Sequence, residues 1–275
     1  MIVRGMPLLL QVIFRGEIKR IVMFIWFLLY REFYNVVFWW ILFYRPKKLS
    51  PAASVRVVTR YPIAYKSPDH LIPTGTKQDN SSHKKFVLLM EDIIATSTDR
   101  HKNSFLDLGC AGGQLVKDFS DIGWMAVGLE GSDYSLKHKR ANWEKLAGKN
   151  LFTCDIAKPF QILVNGKKNH FQLITAWEVL EHISVRDLPV LFGNIVKHLD
   201  KGGYFIASTT SLPDIHDGVD LHQTKMTNQQ WRRWIKKHVP VLHPVDLDIK
   251  YYQQVRYNAE RSFLTYKRKN ESYYQ

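Results

Sequence analysis

The residues between Ser104 and Asp133 constrain the fold of this chain more than any others. An apolar run, Ser104–Leu108, leads into Gly109-Cys-Ala-Gly-Gly113 and a helix-like stretch, and a second apolar run ends at Glu130. Glycines let a backbone pass close to a ligand where a Cβ would collide, and the helix that follows directs free N–H groups at the site. An acidic side chain about 20 residues past the turn can accept hydrogen bonds from both ribose hydroxyls. The stretch therefore predicts a half-fold that binds a ribose-containing ligand.

The spacing of the glycines distinguishes two classes of ribose cofactor. A dinucleotide turn, G-x-G-x-x-G, would need glycine at 109, 111 and 114, but the last two positions hold Ala111 and Gln114. This argues against the alternative of an NAD(P) oxidoreductase. The string Asp107-Leu-Gly-Cys-Ala-Gly-Gly113 instead resembles the first motif of class I S-adenosylmethionine (SAM) methyltransferases, D-x-G-x-G-x-G, with alanine in place of the middle glycine.

The resemblance continues along the chain, over residues 80–267. Leu151–Asp155 is similar to the strand end whose acid binds the adenine amino group, and Phe171–Ile183 is similar to the family's fourth strand and the segment after it. The resemblance implies SAM as the cofactor. The residues that it implies for the cofactor site are Asp107, Gly109, Cys110, Ala111, Gly113, Glu130, Gly131, Asp155, Ile156 and Trp177.

Apolar runs and helical periodicity alternate along most of the chain. The sequence predicts strands at 104–109, 124–129, 150–153, 171–176 and 203–208, and helices at 112–120, 133–146, 186–199 and 227–238. This alternation indicates an α/β fold with a mostly parallel sheet and helices on both faces. Two final β-rich pieces, near 244–251 and 261–267, have no helix between them and are predicted to pair antiparallel. The resemblance implies the seven-stranded, Rossmann-like methyltransferase sheet.

The densest polar cluster is Glu178-Val-Leu-Glu-His182. On a helical turn, Glu178 would lie one turn from Glu181 and His182, so that the side chains converge. The pattern is similar to the E-x-x-E-H of ubiquinone-pathway and plant small-RNA methyltransferases, which implies Glu178, Glu181, His182 and a later histidine, His222 or His216, as ligands of Mg²⁺ or Mn²⁺. The alternative without a metal makes His182 or His222 the general base, with Glu178 near the cofactor.

The first 48 residues carry two apolar, aromatic-rich runs, 21–30 and 33–44, between basic residues. Their length and their Trp and Tyr content predict a segment that associates with an anionic membrane surface, either spanning it or lying in its interface. The alternative is a pair of helices that cap the soluble domain or form a dimer contact. A proline-containing linker at 49–80 is predicted to fold over the active site of a methyltransferase domain at 81–270.

The net charge of +14 is concentrated at the two ends of the chain. Residues 1–50 hold eight Lys or Arg against two acids, and residues 231–275 hold ten against four. Basic ends attract phosphate of anionic lipid or of nucleic acid. The two cysteines, Cys110 and Cys154, offer no disulfide or zinc pattern, which favours a reducing compartment.

The acceptor of the methyl group is the least constrained part of the prediction. We expect O-methylation of a small, sugar-like or lipid-linked acceptor at the cytoplasmic face of a membrane. If the N-terminal segment does not bind a membrane, we expect the enzyme to lie in the cytoplasm. The alternatives are an RNA methyltransferase, since nucleic acid would also suit the basic ends, and a non-catalytic membrane-bound module that binds SAM. The sequence leaves the oligomeric state open.

Overall fold

The computed structural model describes residues 53–95, 103–247 and 261–270. Its centre is a sheet of seven strands, which are Ser104–Leu108 (β2), Met125–Glu130 (β3), Leu151–Thr153 (β4), Phe171–Trp177 (β7), Leu199–Thr210 (β8), Leu242–Pro244 (β11) and Arg261–Arg268 (β12). Their spatial order is β11-β12-β8-β7-β2-β3-β4. The strands from β8 to β4 run parallel, whereas β12 is antiparallel to both of its neighbours. The predicted seven-stranded, mostly parallel sheet is confirmed.

The central strands are buried on both faces. Every residue of β2 and of β7 is buried. Continuous apolar runs of this kind are typical of parallel strands that helices cover on both sides. Two apolar clusters pack against the sheet, one that contains Ile174, Phe192 and Trp231 and another that contains Phe86, Phe119 and Trp177. The carboxyl ends of β2, β3 and β7 therefore meet at one edge of a rigid sheet.

Eight α-helices are described around the sheet. They are Pro68–Leu71 (α1), Thr74–Gln78 (α2), Lys84–Ala95 (α3), Gln114–Asp121 (α4), Tyr134–Lys137 (α5), Trp143–Leu146 (α6), Leu188–His198 (α7) and Asn228–His238 (α8). The helix α8 begins with a capping box, in which the Thr227 hydroxyl accepts from the Gln230 backbone N–H and the Gln230 side chain accepts from the Thr227 backbone N–H.

The prediction of one helix over 133–146 is wrong. Two four-residue helices occupy this stretch, and Lys139 and Ala141 between them have φ of 48° and 51°. A right-handed helix cannot include such residues. The N–H of Asn142 instead donates to the carbonyl of Gly112 at 3.1 Å, which ties the chain to the glycine turn. A long-range contact thus replaces the helical hydrogen bonds that the local sequence favours.

A second, smaller sheet lies outside the main one. Its strands are Val55–Thr59 (β1), Phe160–Val164 (β5) and Lys167–Lys168 (β6), in the order β1-β5-β6. Asn165 and Gly166 connect β5 to β6 with φ of 51° and 77°, as a two-residue hairpin turn requires. The side chain of Asn165 also accepts a hydrogen bond from the N–H of Ser54 at 3.0 Å, which joins the hairpin to the start of β1.

The predictions for the two ends of the chain fall partly outside the described residues. The predicted membrane-associating segment, residues 1–48, lies outside the described residues. Within the described ranges, the structure contains no helix with the length and apolar character needed to cross a bilayer. The last two strands do pair antiparallel, but the first of them, β11, spans Leu242–Pro244 instead of 244–251. Residues 245–247 are not a strand, and residues 248–251 lie outside the described ranges. The division at 48 and 80 stays a prediction.

Candidate functional site

The turn after β2 holds glycines at two positions that no other residue could occupy without strain. Gly109 has φ of 74°, and a Cβ on it would lie 2.4 Å from Cγ2 of Val179. Gly113 has φ of 78°, and its Cβ would lie 2.5 Å from Cδ1 of Leu151. Both the left-handed backbone and the close neighbours therefore require glycine. The turn opens directly into α4, as the sequence predicts.

Ala111, the residue that departs from the family motif, also has a left-handed backbone, with φ of 44°. Two hydrogen bonds hold it there. Its N–H donates to Oε2 of Glu130 at 2.8 Å, and its carbonyl accepts from Nε1 of Trp143 at 2.7 Å. An alanine is therefore tolerated at a position where glycine would avoid about 1 kcal/mol of strain.

Glu130, the predicted ribose acid, lies at the end of β3 and is only 7% exposed. Besides the Ala111 contact, its carboxylate accepts from the N–H of Ser132 at 3.2 Å and from the hydroxyl of Thr76 at 3.5 Å. Burial raises the pKa of Glu130 above its ordinary value, and the backbone hydrogen bonds from Ser132 and Ala111 oppose that rise. A buried carboxylate held by backbone donors is a fixed acceptor, which suits a ribose.

A cleft opens between the glycine turn, Trp177 and the loop before α3. Its lining comprises Asp79, Asn80, Ser81, His83, Asp107, Gly109, Cys110, Gln114, Leu115 and Trp177. Four of the predicted cofactor residues, Asp107, Gly109, Cys110 and Trp177, thus share one cleft. Among the described residues, Oδ1 of Asn80 is buried without a hydrogen-bond partner. Polar side chains beside a glycine turn and an indole ring fit the amino-acid end and the sulfonium of SAM.

The neighbours of two predicted cofactor residues in this cleft determine their orientation and protonation. The hydroxyl of Thr175 donates to Oδ1 of Asp107 at 2.6 Å, so that carboxylate is fixed from the neighbouring strand β7. Burial, followed by the charges of Glu130 and Asp107, raises the pKa of the Cys110 thiol well above its ordinary value. Cys110 is therefore a neutral thiol that lines the cleft and not a nucleophile.

The adenosine side of the predicted site is covered by residues 61–83, called the covering segment below. The N–H of Asp155 donates to the carbonyl of Tyr61 at 2.9 Å, and the N–H of Ala64 donates to the carbonyl of Gly131 at 2.9 Å. Ile156 is buried beside Asp155. Burial also raises the pKa of Asp155, against the opposing effects of the Ala157 N–H and the charge of Lys158. Glu130, Gly131 and Asp155 therefore lie under the covering segment.

The covering segment contributes side chains that the sequence did not single out. Thr76 contacts Glu130, Asn80 lies against Gly112, and Asp69 contacts His182. The prolines of this stretch indicated a linker over the site but gave no signal for these three contacts. Only the folded chain brings them to the carboxyl ends of β2, β3 and β7.

The predicted helical turn at Glu178–His182 is wrong in its first residue. Glu178 follows β7 with φ of 52°, and only Leu180–His182 forms a short 3₁₀ helix. A left-handed residue cannot belong to the same right-handed turn as Glu181 and His182, so the helical spacing argument fails. Left-handed backbone at a non-glycine residue is uncommon and is often found at functional sites.

Glu181 is directed inward. It is fully buried, and its Oε1 accepts from the N–H of Thr210 at 3.0 Å, at the end of β8. Burial and the nearby charge of Glu178 raise the pKa of Glu181 to about 7. The side chain therefore connects the segment after β7 to the end of β8.

The predicted metal ligands contact protein groups in the structure. Over the described ranges, no three His, Cys, Asp or Glu side chains are grouped so as to hold a metal ion. Of the four residues Glu178, Glu181, His182 and His222, Glu181 binds the backbone of Thr210, and Nδ1 of His222 faces the carbonyl of Leu212 at 2.5 Å. His216, the other candidate, contacts Asp214 at 2.9 Å. The metal ligand set therefore stays a prediction.

His182 and His222, the two predicted base candidates, do lie together. Their ring centroids are 4.6 Å apart in an edge-to-face arrangement. Nδ1 of His182 lies 3.0 Å from Oδ2 of Asp69. Burial alone would lower the pKa of His182, but the close contact and charge of Asp69, with the charges of Glu181 and Asp214, raise it above its ordinary value. This arrangement can accept a proton and stabilise the resulting cation.

Comparison with known proteins also points to a methyltransferase. Residues 82–249 match the family model described as a methyltransferase domain. Among curated proteins, none matches this chain. Solved structures similar to it include a SAM-dependent methyltransferase from Clostridium acetobutylicum, with 16% identity, coverage of 74% of this chain and 96% of that one, and a TM-score of 0.47.

Two further structures carry known ligands. The magnesium protoporphyrin IX methyltransferase of Synechocystis, solved with bound SAH, is 13% identical, with coverage of 73% and 96% and a TM-score of 0.46. A glycopeptide N-methyltransferase complexed with SAM is 15% identical, with coverage of 69% and 88% and a TM-score of 0.43. These likenesses are distant, and nothing about the acceptor follows from them. Because the family match spans more than half of this chain, from just before α3 to beyond β11, the chain belongs to the class I SAM-dependent methyltransferases.

Proposed function

We propose that this methyltransferase methylates an oxygen of a small, sugar-like or lipid-linked acceptor, with His182 as the general base. The single observation that carries the proposal is the position of His182, which follows the strand that ends at Trp177 and contacts Asp69 at 3.0 Å. Methyl transfer from a sulfonium is an in-line displacement, so the protein has to hold the cofactor, orient the acceptor and accept a proton.

The cofactor-binding residues are assigned from the cleft and the strand ends. Bound SAM supplies a methyl group on a positively charged sulfur. Asp107, Gly109, Cys110, Ala111 and Gly113 would surround its amino-acid end. Glu130 and Gly131 would hold the ribose, Asp155 and Ile156 the adenine, and Trp177 would lie near the sulfonium. The covering segment would shield this part of the site from solvent through its contacts with Gly131, Asp155 and Glu130.

The acceptor side would use His182, with His222 and Glu178 as neighbouring groups. The Nδ1 atom of His182 faces Asp69, which leaves Nε2 as the nitrogen that takes the acceptor's proton. The ring of His222, 4.6 Å away, limits how the acceptor approaches. A base with a pKa near neutrality is best suited to removing a hydroxyl proton as the new bond forms.

The local charge favours a neutral acceptor over RNA. Although the chain carries a net charge of +14, the groups that act on His182 are carboxyl groups: Asp69, Asp214 and Glu181, the last with its pKa raised to about 7. Lys225, on the same side, is already paired with Asp220. Negative charges around the base would repel a phosphate backbone at short range. The RNA methyltransferase is therefore the less favoured alternative.

We also infer that residues 1–48 attach the enzyme to the cytoplasmic face of a membrane. The support is the aromatic, apolar composition of that segment and its basic flanks. Flotation of the full chain with vesicles tests this. Binding to vesicles with phosphatidylserine, but not to pure phosphatidylcholine, is expected, and a Lys47→Glu, Lys48→Glu variant should bind more weakly. Equal recovery of both proteins without vesicle association would contradict the inference.

The acceptor class is tested by incubating the enzyme with methyl-labelled SAM and separate lipid, glycan and RNA pools. Label in the lipid or glycan pool supports the proposal, and label in RNA alone would replace it with the RNA methyltransferase. His182→Ala should abolish the label, whereas His238→Ala, at an exposed position on α8, should not. If SAM binds by calorimetry and no pool is labelled, the non-catalytic SAM-binding module is the better description.

A further inference from the structure

We propose that Asp69 is a positioning residue for methyl transfer, which orients the ring of His182 from the covering segment. The acceptor side of the site is then complete only when the covering segment lies over the cofactor side. This proposal rests on the proposed role of His182 as the general base. Asp69 itself would touch neither the cofactor nor the acceptor.

The contact between Asp69 and His182 is partly buried, and a local turn holds Asp69 in place. Oδ2 of Asp69 lies 3.0 Å from Nδ1 of His182, with 28% and 18% of the two side chains exposed. The two atoms are at ion-pair distance, but their angle is outside the range of a hydrogen bond. The hydroxyl of Ser67 donates to the same oxygen at 3.2 Å, and the N–H of Ser67 donates to the carbonyl of Ala64 at 2.8 Å. A carboxylate that is itself held by a local turn can fix the orientation of the ring that it contacts.

The segment that carries Asp69 also touches the cofactor side. Thr76 contacts Glu130 at 3.5 Å, and the carbonyl of Asp79 accepts from the N–H of Gly112 at 3.2 Å and from Nη1 of Arg140 at 3.0 Å. One stretch of chain thus reaches the ribose acid, the glycine turn and the base. Displacing it would remove all of these contacts together.

The other charged groups around His182 belong to different elements. Glu181 precedes it in the chain and is bonded to Thr210, Asp214 is engaged by His216 at 2.9 Å, and the ring of His222 lies edge-on. Glu178 acts on Glu181. Among the carboxylates that act on His182, Asp69 is the one that the covering segment contributes.

The chemistry explains why the orientation matters. The negative charge of Asp69 beside Nδ1 favours a proton on that nitrogen, which leaves the lone pair of Nε2 for the proton of the acceptor hydroxyl. As that proton moves to Nε2, the oxygen's electron pair forms the bond to the methyl carbon, and the pair of the broken carbon–sulfur bond stays on sulfur. The carboxylate of Asp69 then stabilises the imidazolium that results.

The test compares Asp69→Asn with Asp217→Asn. Both remove one negative charge without changing side-chain size, but Asp217 is exposed at the tip of the hairpin formed by Ile215–His216 (β9) and Val219–Asp220 (β10). We expect Asp69→Asn to lower kcat by about 10- to 100-fold in the pool that the wild type labels, with KM and the SAM Kd within about twofold. Asp217→Asn should match the wild type in all three.

Hydrogen exchange gives a readout that does not depend on turnover. The amides of His70 and Ile72, whose hydrogen bonds flank Asp69, should exchange faster in Asp69→Asn and in His182→Ala, since each removes the same contact, and at the wild-type rate in Asp217→Asn. The amide of Asp79, on the cofactor side of the segment, should keep the wild-type rate in all three variants. Unchanged kcat in Asp69→Asn overturns the proposal. An equal loss in SAM affinity and kcat also overturns it, because Asp69 would then only hold the segment in place.

Failure of the proposed function gives a different result. If the wild type labels no pool, the base assignment falls and the positioning role falls with it, whatever the exchange rates. If the wild type is active, His182→Ala is inactive and Asp69→Asn behaves like the wild type, the base assignment survives and the positioning role alone is lost.

Discussion

The backbone N–H of Ala111 donates a 2.8 Å hydrogen bond to Oε2 of Glu130, 19 residues later in the chain. This bond joins the glycine turn after β2 to the acid at the end of β3. The two halves of the predicted ribose site are therefore fixed to each other by the protein alone. A cofactor that binds there would meet a Glu130 carboxylate whose position is already fixed, which lowers the conformational entropy lost on binding.

Replacing Glu130 with Gln should weaken SAM binding. The amide keeps the size of the side chain, but it loses the charge and turns an NH₂ group toward the N–H donors of Ala111 or Ser132. We expect the Kd for SAM to rise by about 10- to 100-fold, since hydrogen bonds to charged groups contribute about 1.5–3 kcal/mol. Isothermal calorimetry measures this, with the exposed Glu144→Gln as the control. An unchanged Kd would show that Glu130 does not hold the ribose.

Gly109→Ala should destabilise the fold more than Gly148→Ala does. Both glycines have left-handed backbones, with φ of 74° and 70°, but a Cβ at Gly148 has nothing within 4 Å, whereas one at Gly109 lies 2.4 Å from Val179. The backbone strain alone costs about 1–2 kcal/mol, and overpacking adds about 1–3 kcal/mol at Gly109 only. Urea denaturation of the two variants gives the difference. Equal losses would mean that Val179 moves away without cost.

Glu181→Gln should stabilise the protein at alkaline pH. Because burial and Glu178 raise the pKa of Glu181 to about 7, the folded state keeps a proton that the unfolded chain releases near pH 4.5. Wild-type stability therefore falls as pH rises from about 4.5 through about 7, and a neutral glutamine escapes that loss. We expect the variant to gain about 2 kcal/mol relative to the wild type between pH 5 and pH 8.

The measurement for Glu181 is urea denaturation of both proteins at the two pH values. Glu144→Gln provides the reference, since its difference from the wild type should stay constant. A Glu181→Gln difference that does not change with pH would show that the carboxyl is ionised in the folded protein at pH 5.

His198 should give the opposite pH dependence. Burial lowers the pKa of His198 to about 4, while its Nε2 accepts from the N–H of Ile162 at 3.1 Å. The folded state therefore excludes a proton that the unfolded chain binds near pH 6.5, so stability present at neutral pH is lost as pH falls from about 6.5 to about 4. Between pH 7 and pH 4.5, the free energy of unfolding should fall in both proteins. We expect the fall in His198→Gln to be about 2 kcal/mol smaller than the fall in the wild type.

The His198 comparison uses the exposed His238→Gln as its control, and the effect of Glu181 cancels because all three proteins carry it. His198→Gln is expected to be less stable at pH 7, since the amide does not reproduce the two ring contacts with Ile162 and the Asn194 carbonyl. Parallel pH profiles for His198→Gln and the wild type would contradict the buried, neutral imidazole.

The sequence by itself determined the sheet and the glycine turn after β2. Continuous apolar runs specify buried parallel strands, and glycine at 109 and 113 is required by a backbone that no other residue adopts without strain. The place of Glu130, at the end of the next strand, follows from the same local pattern. These features depend on residues near one another in the chain, which is why pattern and spacing were enough to predict them.

The tertiary structure decided the break between Tyr134–Lys137 and Trp143–Leu146, the left-handed backbone of Glu178 and the contact between Asp69 and His182. Each depends on groups that are distant in sequence and that compete with local preferences: the Gly112 carbonyl draws Asn142 out of a helix, and the Ser208 carbonyl holds the N–H of Glu178. Local periodicity carries no information about such partners. Residues close together in the sequence therefore specified the fold of the predicted cofactor half. The predicted acceptor half depended instead on which polar groups, distant in sequence, could form hydrogen bonds and ion pairs once the sheet had formed.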